Sequence, residues 1–263
     1  MLKKPLLTLA LSLTLLPATL EAAAPREWSY RVMEKQPQPR DHFVQGLQIV
    51  DGMLYVSTGG YGSSRLLQYR LADGELLRVR RLHPRLFGEG LTVLGEHVYQ
   101  LTWRARRLLV FQREGLAPKT TLPLPGQGWG LTDNGRELIY TDSGHELIYL
   151  DPDSGRELRR VPVRDNGTPL PRLNELEWID GKVWANIWQE DRIVAIEPDT
   201  GEVTDSVNLA GLLPDSERGP GTDVLNGIAH NPVDGALWVT GKRWPWRYRI
   251  ELVPAEAAGN ESR

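Results

Sequence analysis

The chain has 263 residues, a net charge of −3, 26 Gly, 19 Pro, 9 Trp and no Cys. The missing Cys excludes disulfide scaffolds, thiolate metal sites and cysteine nucleophiles, and the balanced charge excludes electrostatic capture of nucleic acid. So many turn formers in a chain of this length point to one large β-rich domain rather than to long helices.

Lys3 and Lys4 precede an apolar run from Leu6 to Leu16, and Ala22 to Ala24 offer small residues for cleavage. That order is the order of a secretory signal peptide. The run is too short for a bilayer core, which takes ~20 residues. The expected organisation is a signal peptide over 1–24 and a single domain over 25–263. The protein is then periplasmic or secreted, with no membrane contact after cleavage and, lacking Cys, a core that must hold alone.

Trp28 to Glu34 alternates as a strand does. Phe43 to Val50 and Met53 to Thr58 flank the hairpin turn Asp51-Gly52, and Arg65 to Leu71 and Glu75 to Leu82 flank Asp73-Gly74. This four-strand order recurs. Its second strand follows Gly52, Gly95, Gly135, Gly181 and Gly235, and a spacing of roughly 40 to 50 residues with only β signals is that of a propeller. Third-to-fourth turns recur at Arg113-Glu114-Gly115, at Asp151 to Gly155 and at Glu197 to Gly201. The fifth unit stops one strand short, since Trp246 to Val253 runs into a polar tail from Pro254. The N-terminal strand is therefore expected to complete the last blade, giving an all-β, five-bladed propeller without open edges.

Aligned on the turn Gly, the first strands begin Gln45-Gly46-Leu47, Glu89-Gly90-Leu91, Trp129-Gly130-Leu131, Asn174-Glu175-Leu176 and Asn226-Gly227-Ile228. Four of the five carry Gly beside a polar or aromatic residue, which suits close approach of strands or ligand. The ends of the second strands, Gly59, Trp103, Gly144, Trp188 and Lys242, should meet these starts, with Gln45 opposite Gly59. One mouth thus gathers Gln45, Glu89, Asn174, Asn226 and Lys242 among Trp103, Trp129 and Trp188. Glu177 either faces the channel as a second acid or bonds locally. Trp184 and Trp238 share a slot with Tyr55, Tyr99 and Tyr140, which marks core packing. Trp28, Trp178, Trp244 and Trp246, with Asp142 and Asp223, read as structural. The segment Pro214 to Gly221 reads as a lid or a long loop.

No metal spacing joins His42, His83, His97, His145 and His230. Asp151-x-Asp153 reads as a turn, because no acidic ligand follows at calcium-loop distance. No phosphate loop, nucleophile elbow or basic stripe is present. Asn166-Gly167-Thr168 is a glycosylation acceptor if the source is eukaryotic.

Several segments, taken in order, resemble the plant-type glutaminyl cyclases, which have bacterial members. They are Phe43-Val44-Gln45-Gly46-Leu47, Ser57 to Ser64, Phe87 to Thr92, Gly128-Trp129-Gly130-Leu131, Asn174 to Glu177 with Val183 to Trp188, and Asp223 to Ala229 with Val239 to Lys242. Val44 and Gly60 depart from the family's usual residues without removing a chemical group. The resemblance implies a five-bladed propeller without metal or cofactor that turns N-terminal Gln of peptides or proteins into pyroglutamate and ammonia. Its essential acid falls on Glu89, and its other pocket residues fall on Gln45, Trp103, Trp129, Asn174, Trp188 and Lys242. The expected roles are proton transfer by Glu89, oxyanion stabilisation by Asn174 and Lys242, and amide orientation by Gln45. A monomer is expected. The alternative is a non-enzymatic periplasmic propeller that binds peptides or proteins at the same mouth. A calcium-dependent propeller hydrolase would need more acidic ligands than Glu89, Glu175 and Glu177.

Overall fold

The computed structural model describes residues 24–255. The expected signal peptide, apart from Ala24, and the tail beyond Ala255 lie outside the described residues. Among the described residues there is no α-helix, only strands and one 3-10 turn at Asp215–Glu217. After β1 (Arg26–Pro37), one four-stranded antiparallel sheet holds β2 (Val44–Val50), β3 (Met53–Thr58), β4 (Arg65–Arg70) and β5 (Leu76–Arg81). A second holds β6 (Gly88–Leu94), β7 (His97–Thr102), β8 (Arg107–Gln112) and β9 (Pro118–Pro123). A third holds β10 (Leu131–Asp133), β11 (Leu138–Tyr140), β12 (Glu146–Leu150) and β13 (Glu157–Pro162).

The short hairpin of β14 (Arg164–Asp165) and β15 (Thr168–Pro169) leads into an eight-stranded sheet. Its first half is β16 (Leu173–Ile179), β17 (Lys182–Ile187), β18 (Arg192–Ile196) and β19 (Val203–Asn208). Its second half is β20 (Leu225–Asn231), β21 (Ala236–Gly241), β22 (Trp246–Pro254) and β1. β1 lies antiparallel to β22 from Trp28↔Pro254 to Pro37↔Trp246, the expected completion of the last array. It also pairs in parallel with β19 over Arg26↔Asp205 to Trp28↔Val207. This second contact, which joins two arrays into one sheet, was not expected from the sequence.

The turn residues explain the hairpins. Asp51 and Gly52 have φ of 50° and 71°, and Asp180 and Gly181 have 49° and 85°, the paired positive values of the turns that match strand twist. Within each array the first two strands are almost wholly buried, whereas the fourth strands β5, β9 and β13 are mostly exposed. Their Arg and Lys residues keep these outer edges from recruiting another strand.

The core lies between arrays. Tyr55 packs with Leu91 and Phe111 across the first and second, Tyr99 with Tyr140 and Ile148 across the second and third, and Ile139 with Val183 and Val194 across the third and fourth. Trp184 packs with Leu237 and Tyr248, and Trp238 returns to Val56 and Tyr69 of the first sheet. The first strands touch in the cycle β2, β6, β10, β16, β20 and back to β2. Each fully buried aliphatic or aromatic side chain contributes about 1.5–3 kcal/mol.

One feature of register differs from expectation. The β2–β3 ladder runs from Val50↔Met53 to Gly46↔Ser57 and then jumps to Val44↔Thr58, leaving Gln45 unpaired. The same shift falls between Gly88 and Leu91, between Leu173 and Leu176, and between Leu225 and Ile228. Gln45 is therefore not opposite Gly59, whose N–H donates to Phe43 O at 2.8 Å. A two-residue turn has no central residue from which to count, and the bulge adds a further step. Bulges re-aim side chains, and these carry Gln45, Glu89, Asn174 and Asn226.

Candidate active site

A cavity of about 370 Å³ opens where the bulges converge, within the ~300–1,000 Å³ of small-ligand sites. Gln45, Glu89, Trp103, Trp129, Asn174, Trp188 and Lys242 all line it. Trp129 meets Trp188 edge-on at 5.4 Å between ring centroids, and Trp103 meets Phe87 at 5.6 Å. Lys242 Nζ sits 5.1 Å from the Phe43 ring centroid, close enough for a cation–π attraction.

Glu89 is 5% exposed, and its carboxyl is pushed well above the usual carboxylate range by burial, with the charge of Lys242 pulling the other way. Lys242 is equally buried, and desolvation lowers its ammonium while Glu89 and Asp223 oppose the shift. Both directions have the same origin, since a charged group loses water here and only partly regains it from its partner. The backbone beneath Glu89 is fixed: Ser57 Oγ donates to Glu89 O, and Gln100 Nε2 donates to Ser57 Oγ at 2.7 Å.

The remaining polar groups are mostly donors. Trp129 Nε1 and Asn174 Nδ2 are buried without an acceptor among the described residues. Asn226 Nδ2 donates to Val44 O at 3.0 Å and to Gln45 Oε1 at 3.3 Å. With its oxygen so engaged, Gln45 has its own amide N–H groups left to offer. The site therefore presents one buried acid of raised pKa beside unpartnered donors and aromatic walls.

Asn226 and Glu177 do not line the cavity. Asn226 is fully buried behind Gln45. Glu177 lies deeper, where its Oε1 accepts the His230 N–H at 2.9 Å, neither a local bond nor a cavity acid. Phe43, Phe87, Gln189, Asp223 and Val224 also line the cavity, outside the strand-start and strand-end slots that the sequence repeat compares. A Cβ at Gly59 would overlap the Phe87 ring, so the Gly in a slot held by Trp103, Trp188 and Lys242 in three other arrays admits Phe87 from the next array. Asp223, read as structural, accepts the Val224 N–H at 2.7 Å and also stands on the cavity rim. The segment 214–221 is tied down on its outer side, where Glu217 accepts from Lys35 Nζ at 2.9 Å and its carbonyl from Arg40 at 2.7 Å. Among the described residues no cluster of three His, Asp or Glu could hold a metal ion.

These features define an all-β protein whose strand bulges build an aromatic-walled acid site. The sequence profile of the glutamine cyclotransferase family matches residues 5–252. A glutaminyl-peptide cyclotransferase of Arabidopsis thaliana is 36% identical over 236 residues, spanning 87% of this chain and 73% of that one. The crystal structure of Myxococcus xanthus glutaminyl cyclase superposes with a TM-score of 0.80 at 32% identity, covering 87% of this chain and 98% of that one. The chain belongs to the glutamine cyclotransferase family, the glutaminyl cyclases.

Proposed function

We infer that the protein is a glutaminyl-peptide cyclotransferase, an acyl-transferring enzyme that closes N-terminal Gln to pyroglutamate, with Glu89 as its acid and base. The observation that carries this reading is a buried Glu89 lining a cavity where the buried unpartnered polar atoms, Trp129 Nε1 and Asn174 Nδ2, are donors. The substrate's α-amine attacks its own side-chain carboxamide carbon, forming the ring C–N bond as the bond to the amide nitrogen breaks. The reaction is intramolecular, so the walls formed by Trp103, Trp129 and Trp188 serve mainly to hold the folded rotamer and keep water out. Glu89 takes the proton from the attacking amine and hands it to the departing nitrogen, which leaves as ammonia. Its raised pKa moves it toward that of an α-amine, about 7.7, which favours transfer in both directions. Asn174 Nδ2 and the Lys242 ammonium stabilise the oxyanion, and Gln45 orients the amide.

The five arrays are read as the blades of a single five-bladed propeller, supported by the cycle of first strands and the cores shared between successive arrays. The chemistry needs no metal, and the enzyme works as an exported monomer. Mass spectrometry of synthetic Gln-initiated peptides tests the reading. Each should lose the mass of one ammonia, with turnover undiminished by a strong chelator. Binding without turnover would favour the peptide-binding alternative, and chelator loss rescued by zinc would overturn the metal-free chemistry.

A pH profile tests the electrostatics. Once the ionisation of the substrate's own α-amine, titrated separately, is divided out, the acid limb of kcat/KM reports free-enzyme Glu89, so it should lie above the usual carboxylate range. In Lys242→Met the charge that holds Glu89 down is gone, and the limb should move to higher pH. A limb that stays put or moves down would show that Lys242 does not set the acidity of Glu89.

A further inference from the structure

Glu175 occupies the slot where the other first strands carry Gly46, Gly90, Gly130 and Gly227. Neighbouring strands leave no room for a side chain at three of these. A Cβ on Gly46 would lie 2.5 Å from Leu91 N, one on Gly90 2.5 Å from Leu131 N, and one on Gly130 would overlap the Asn174 carbonyl. From β16 the side chain of Glu175 instead reaches across the centre of the cycle and is 0% exposed. Its Oε1 accepts the Leu47 N–H of β2 at 3.0 Å, and its Oε2 accepts the Ile228 N–H of β20 at 2.8 Å.

Leu47 stands two residues after Gln45, and Ile228 two residues after Asn226. Each amide therefore lies just beyond a bulge. The two bulges are themselves linked, because Asn226 Nδ2 donates to Val44 O and Gln45 Oε1. One carboxylate thus clamps the two strands whose bulges hold Gln45, while Glu177, two residues on, holds only His230 on β20. We propose that Glu175 is a positioning residue that fixes the β2 and β20 bulges against each other and so sets the orientation of Gln45 in the cavity.

This rests on the cyclase reading, and a double-mutant cycle separates it from a merely structural role. Glu175→Gln keeps the shape but offers one acceptor, so its NH₂ confronts one of the two amides and one strand is released. If Glu175 acts through Gln45, this variant should lower kcat/KM by roughly tenfold in the native background, mainly through KM, but by less than about twofold in Gln45→Ala. Val110→Ala, a cavity in the core far from the site, serves as the comparison for lost stability and should leave KM unchanged. Should Glu175→Gln not accumulate as folded protein, Glu175→Asp replaces it, since the shorter carboxylate cannot span both amides. Equal losses in both backgrounds, or a folded Glu175 variant with native kcat and KM, would overturn the inference alone. A native protein that cyclises no Gln-initiated peptide would overturn the cyclase reading and this inference with it.

Discussion

Glu89→Gln is expected to fold as the native chain does and to lose roughly 10²–10⁴-fold in kcat, the usual contribution of a positioned acid and base. The carboxamide fills the same volume but can neither take the amine proton nor return one to the leaving nitrogen. Nothing nearby replaces it: Glu175 and Glu177 lie outside the cavity lining, and Asp223 stands at the rim, bonded to the Val224 amide. Stability should change little, and in the favourable direction if at all. Burial raises the pKa of Glu89 in the folded state, so its contribution to stability is complete below the unfolded value and is lost as pH rises through the folded one. An uncharged amide avoids that loss. Ammonia release gives kcat, and the thermal midpoint gives stability. A folded variant with turnover near the native rate would remove Glu89 from the chemistry.

Gly130→Ala should have the largest structural effect. The added Cβ would overlap the Asn174 carbonyl and crowd Leu176. The carbonyl is backbone, and it also accepts the Thr141 hydroxyl at 3.1 Å, so it cannot yield as a flexible side chain would. Overpacking in a close-packed interior costs typically ~1–3 kcal/mol, and a clash of backbone with Cβ sits at or beyond the upper end of that range. The variant should therefore unfold at a clearly lower urea concentration. Any folded fraction should also turn over slowly, because displacing the Asn174 backbone displaces its oxyanion donor. A native urea midpoint would mean that β10 and β16 are not held this closely in solution.

How far the sequence could be read depended on whether a feature repeated. The turn Gly residues and the slot of Tyr55, Tyr99, Tyr140, Trp184 and Trp238 recur at the same step of each unit, and they yielded the strands and the packing partners. Gln45, Glu89 and Asn174 stood out because the same slot varied chemically against constant surroundings. The bulges were hidden, since the in-strand Gly at three of them also suits close approach of a neighbouring strand or ligand, and residue type does not separate the two uses. Phe43 and Phe87 each stand two residues before a strand-start polar residue, one step outside the slots compared, and Asp223 comes from a connection between arrays that carries no period. Asn226 and Glu177 show the limit of slot counting. Each belongs to a strand start, yet one turns to hold Gln45 and the other to hold a backbone amide of the neighbouring strand.

The double engagement of β1 has a consequence for how the chain reaches its native state. Trp28 pairs with Pro254 and Val207, so the first described strand cannot find its place until nearly the last one exists. Contacts so distant in sequence close a large loop before they bring any reward, which makes the final closure slow and leaves β19 and β22 with unpaired edges until it occurs. The seam of the ring lies where the two ends of the described chain meet. Joining those ends and opening the chain at the exposed turn Asp73-Gly74 should give a permuted protein that folds, its seam moved and its acid site unchanged.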